Sequence, residues 1–160
     1  METLAKTFHW KMIIWASAVL LALLSGLSFY GIYTDKFYFL KPDNYIIPIL
    51  AVVHCLYMYV IWFKFTQDEL PDPKMRNLEY ALYALVGVYF FKIYESAQVL
   101  GSVSQYGEHV IPPTFKVVGI VTLVLYSLLA LMTLYTFWLR KRFIGAYNFE
   151  NYNNNLNIWQ

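Results

Sequence analysis

"VYFFKIYESAQVL", residues 88–100, carries Lys92, Glu95 and Gln98 within a run that is otherwise aromatic and aliphatic. Spaced three apart, these residues drift slowly around one face of a helix. A lone ammonium in hydrocarbon costs about 3 kcal/mol on insertion scales and far more in simulations. A carboxylate one turn away offsets part of that cost when both groups face protein or water. The fold turns on whether this stretch crosses a bilayer, and the rest of the chain answers that.

Apolar residues make up 59% of the 160, and charged residues only 14%. The mean hydropathy is +0.46. A soluble domain this small exposes most of its residues and usually carries more charge, so the excess apolar surface must face something other than water. The class is integral membrane. A net charge of +2, with the basic residues scattered singly, excludes a nucleic-acid surface. The single cysteine, Cys55, excludes an internal disulfide framework and a multi-cysteine metal site.

Four stretches reach the roughly 20 residues needed to cross a hydrocarbon core. They run from about 10 to 33, 45 to 65, 78 to 100 and 115 to 139, separated by polar, proline-bearing connections. We therefore expect an all-α, four-helix transmembrane bundle, one domain over 1–160, ending in an asparagine- and aromatic-rich tail at 143–160. The first apolar run is too long for the core of a signal peptide, and we expect it to be retained.

Eight basic residues (Lys6, Lys11, Lys64, Lys74, Arg76, Arg140, Lys141 and Arg142) fall on one side of this arrangement. Only Lys36, Lys41 and Lys116 fall on the other. The asymmetry places both termini on the cytoplasmic or matrix-like side, in a bacterial cytoplasmic membrane or an organellar inner membrane. Trp10, Trp15, Trp62 and Trp138 are then expected near the inner interface, and Tyr30, Tyr33, Phe37 and Tyr38 near the outer one.

Ala18, Ala22 and Gly26 recur at four-residue spacing on the first helix. Such a ridge lets a second helix approach closely, either within the bundle or from another subunit. On the second helix, His54 falls about as deep beneath the outer surface as Lys92 does on the third. If those faces meet, His54, Lys92 and Glu95 form one polar layer, with Gln98 shallower and Tyr57, Tyr89 and Tyr94 at its fringe. That layer serves either as an internal ion pair fixing helix register, or as a proton-relay or ligand site for a lipid headgroup or quinone-type carbonyl.

Other chemistries fail on geometry or ligand number. Bis-histidine haem needs two histidines at one depth, and neither His9 nor His109 can partner His54. Adjacent His54 and Cys55 point about 100° apart on a helix and cannot act as nucleophile and base. The acids of "QDELPDP", residues 67–73, read as an exposed turn, and no resident metal or cofactor is expected. The tail aromatics Tyr147, Phe149, Tyr152 and Trp159 read as contact residues. With no nucleophile, base and orienting group to assemble, an enzyme is disfavoured. The expected function is a non-catalytic membrane subunit or assembly component of a larger energy-converting or translocating complex, with lipids and other membrane subunits as partners. The alternative is a small membrane protein that binds a lipid- or quinone-like ligand, or relays protons, through the polar layer.

Overall fold

In the computed structural model, residues 2–103 and 111–147 are described, with side chains from Trp10 onward. Four helices carry the fold: α1 (Glu2–Ser28), α2 (Ile46–Thr66), α3 (Pro73–Gly101) and α4 (Phe115–Phe143). They pack as a ring, α1 on α2, α2 on α3, α3 on α4 and α4 back on α1, with the α3–α4 seam the most extensive.

Three segments among the described residues, Trp10–Ser28, Pro42–Thr66 and Phe115–Phe143, are long and apolar enough to cross a membrane. The burial pattern agrees with that setting. Val19, Leu23, Ile49, Val52, Val117, Ile120, Val124 and Leu131 point outward, while Ser17, His54, Glu79, Thr133, Thr136 and Arg140 are buried. A soluble bundle would reverse this distribution. The segment 78–100 is helical throughout as part of α3, but it does not reach the hydropathy of the other three.

The first helix ends earlier than the expected 33. Ser28 donates toward the carbonyls of Ser25 and Asn44, and the chain turns into a short antiparallel hairpin, β1 (Tyr30–Gly31) and β2 (Lys36–Phe37). Asp35 takes a left-handed backbone (φ 56°) at the tip of this hairpin. Its carboxylate accepts hydrogen bonds from Tyr30 and from Thr114 at the start of α4. The hairpin thereby caps one end of the ring; 'outer' denotes this hairpin end and 'inner' the opposite end.

At the other end, Asp72 caps α3 by accepting from the Met75 amide at 2.7 Å, with Pro73 at the first helical position. Lys64 bridges both Glu69 (2.7 Å) and Asp72 (3.0 Å), so these acids of the turn staple α2 to α3. Burial alone would raise the Asp72 carboxyl. The Met75 amide and the Lys64 ammonium outweigh it and hold the group below its ordinary value.

Trp10 is a correction to the expected aromatic belt. It is buried between Phe65 and Phe143, at ring separations of 5.4 and 6.2 Å, and closes the core at the inner end. Trp15, Trp62 and Trp138 are exposed. Of the tail aromatics, only Tyr147 lies within the described residues.

Candidate functional site

Glu79–Arg140, Lys92–Glu95 and His54–Tyr89 form separate polar groupings rather than the single layer expected from sequence. His54 is fully buried, and its Nδ1 shares a 2.8 Å hydrogen bond with the Tyr89 hydroxyl rather than with Lys92 or Glu95. Tyr57 belongs to the inner cluster. Gln98 and Tyr94 are exposed on α3.

The inner cluster centres on Glu79, which sequence reasoning did not single out. Glu79 stands in the second turn of α3, with Tyr83 one turn further along the same face. Its carboxylate accepts four hydrogen bonds: Arg140 Nη2 at 2.6 Å and Tyr83 at 2.9 Å on Oε1, Tyr147 at 2.6 Å and Tyr57 at 3.2 Å on Oε2. An ionised carboxylate offers about four acceptor positions, so Glu79 is saturated. The donors come from α2, α3, α4 and the segment beyond α4.

Arg140 lies in the last turn of α4, where a cation is favoured by the helix dipole. Its second arm donates to the Gly145 carbonyl at 2.9 Å, and its guanidinium lies 4.3 Å from the Tyr147 ring centroid. Gly145 makes this possible, because its φ of +109° turns the chain back in a way that side chains resist. Burial, with the hydrogen bond to Glu79 and its charge, pushes the Tyr147 hydroxyl above its ordinary value and keeps it a donor. A sequence signal for this cluster existed: "LEYALY", residues 78–83, places a lone carboxylate in an apolar helical run. Its partner lies 61 residues away, beyond any local pattern.

The outer cluster surrounds a cavity of about 240 Å³ between α1, α3 and α4, beneath the hairpin. Lys92 and Glu95 pair at 2.7 Å on its wall, but their side chains are 31% and 49% exposed rather than buried in the bundle. Ser96, Thr122 and Tyr126 line the same space.

The helix-packing residues also find a definite place. Ala22 and Gly26 are exposed, and a Cβ added at Gly26 would meet nothing within 4 Å. Both border a shallow outer hollow between α1 and α4, while Ala18 borders a groove of about 440 Å³ between α1 and α2. Ala22 and Gly26 are therefore not used for packing inside the ring. No family model, no curated protein and no solved structure matches the chain.

Proposed function

We propose that the chain is a four-span, non-catalytic membrane subunit or assembly component of a larger complex, energy-converting or translocating, with both termini on the cytoplasmic or matrix side. Three spans follow from length and composition. The fourth is α3, whose 29 residues extend about 44 Å, the full depth of a bilayer with its headgroups. α3 packs between α2 and α4, and its inner carboxylate is neutralised by Arg140 within the bundle.

The observation that carries a subunit role is the unused small-residue face of α1. Ala22 and Gly26 stand open on a helix whose outward residues include the large apolar Met12, Trp15, Val19 and Leu23. Small residues on a lipid-facing surface permit close approach by a further helix, which is how membrane helices associate.

Ala22→Leu and Gly26→Leu test this directly, because both positions have room for the larger side chain. After mild-detergent extraction, the variants should lose a co-purifying membrane partner while keeping the wild-type unfolding temperature. An unchanged partner, or none in the wild type, would remove the subunit reading. Orientation is read separately with Lys36→Cys or Gln67→Cys in a Cys55→Ala background. An outside reagent should label the first in intact cells and the second only after permeabilisation, and the reverse pattern would invert the topology.

A further inference from the structure

The cavity at the outer end is built differently from a packing defect. Leu24 of α1, Val99 of α3 and Val118 of α4 supply apolar wall, while Lys92, Glu95 and Tyr126 supply polar wall. Tyr126 is 5% exposed and lines the cavity. A phenol hydroxyl can donate one hydrogen bond and accept another from a polar group that enters. Lys92 and Glu95 also keep capacity. Their bond uses one ammonium hydrogen and Oε2, leaving two N–H donors and Oε1.

The pair constrains what can enter. Taken together it is neutral, so a lone anion gains from Lys92 and is repelled by Glu95, and a lone cation meets the converse. A quinone could accept from Tyr126 and Lys92, but it offers nothing to Glu95. A head that carries both charges satisfies both residues. Oε1 of Glu95 further asks for an N–H donor, which a primary ammonium has and a quaternary one lacks. A volume of about 240 Å³ suits a headgroup, being below the roughly 300–1,000 Å³ usual for whole small-molecule sites. Attached acyl chains would lie outside, along exposed Val117, Ile120 and Val121.

Depth is consistent with this source. Glu95 and Lys92 lie six and nine residues before the end of α3 at Gly101, about 9 and 14 Å down the helix. That is just beneath a headgroup layer some 5–8 Å thick, within reach of a snorkelling lysine.

We propose that this cavity is a headgroup site for a zwitterionic phospholipid of the ethanolamine class, with its phosphate on Lys92 and Tyr126 and its ammonium on Glu95. The site rests on the membrane-spanning reading of α3 but not on the α1 docking face. Native mass spectrometry of the purified protein, given phosphatidylethanolamine, phosphatidylglycerol and phosphatidylcholine with identical chains, tests it.

Ethanolamine lipid should be retained about tenfold over the other two, the ratio that one charge-assisted hydrogen bond supports. Tyr126→Phe should lower its retention about fivefold, as loss of one hydrogen bond does. Thr122→Leu, which fills the cavity from α4, should lower it as well and serves if Tyr126→Phe folds poorly. Glu95→Gln should invert the preference towards phosphatidylglycerol, because Lys92 is then left without its counter-charge. Equal retention of the three lipids, a wild-type preference for phosphatidylglycerol, displacement by equimolar menaquinone, or no inversion with Glu95→Gln would each overturn the proposal. Partner co-purification, measured on the same samples, should be untouched by Tyr126→Phe. Lost lipid selectivity with the partner retained sinks only the headgroup site, and a missing partner with selectivity retained sinks only the subunit reading.

Discussion

The two ends of the bundle use nearly the same parts to opposite effect. Each brings together one carboxylate, one basic residue and tyrosine. At the inner end the carboxylate is fully satisfied by donors from four parts of the chain, and nothing about it is left over. At the outer end the two charges are neighbours on one helix and pair with each other beside the cavity that Tyr126 also lines. A carboxylate saturated by donors from several elements fixes one arrangement, whereas a pair on a single turn of helix keeps capacity for another group. What separates the clamp from the proposed headgroup site is connectivity, not composition.

The largest expected effect breaks the inner clamp. Arg140→Met leaves Glu79 buried without its counter-charge and should destabilise by about 3–5 kcal/mol, read by thermal unfolding in detergent. Adding Glu79→Gln should recover most of that loss, since removing a buried pair together costs far less than breaking it. If Arg140→Met costs no more than a surface pair, the contrast between the ends is not real.

The turn that delivers Tyr147 comes next. Gly145→Ala should cost about 1–3 kcal/mol, because alanine resists a backbone at φ +109°. Tyr147→Phe removes a hydrogen bond to a charged group and should cost a similar 1–3 kcal/mol or so. The two should be clearly less than additive, because both act by withdrawing Tyr147 from Glu79. Full additivity would mean that Gly145 matters for something other than placing this ring.

Asp72 gives the inner end an acid-side signature. Its folded value is depressed, so its contribution is complete above the ordinary carboxyl range and is lost as pH falls through the depressed value. Asp72→Ala should cost about 1 kcal/mol at neutral pH as a lost helix cap, and it should flatten the decline in stability below about pH 4. An undiminished acid-side slope in the variant would assign that slope to other carboxylates.

The smallest effect is expected at the outer end. The side chains of Lys92 and Glu95 are partly exposed and one turn apart, so Lys92→Met should cost below about 1 kcal/mol. A loss comparable to that of Arg140→Met would show that membrane burial makes this pair a second clamp.

Much of the helical arrangement was legible because its signals are local. Long apolar runs between proline-bearing connections gave four helices close to the segments seen. The early end of α1 was not legible, because the Tyr30, Asp35 and Thr114 bonds that shape the hairpin include a contact 79 positions apart. Lys92 and Glu95 were found because they interrupt an apolar run and sit one turn apart. Glu79 was passed over because it lies near the start of α3, where a charge reads as flank. Its significance comes from Arg140, which in turn reads as one of three basic residues ending α4. The small-residue ridge was recognised from its spacing, but spacing on a single helix does not say which side meets the bundle.

The separation between Glu79 and Arg140 bears on how such a chain is made. During synthesis α3 leaves the ribosome carrying an acid whose counter-charge lies 61 residues further along the chain and is not yet made, and whose fourth donor, Tyr147, follows later still. On the four-span reading, α3 is the helix least able to partition into lipid unaided, so its insertion waits for α4 and the two enter as a hairpin. A nascent chain arrested just before α4 should therefore leave α3 accessible from the aqueous side, while α1 and α2 are already committed to the bilayer.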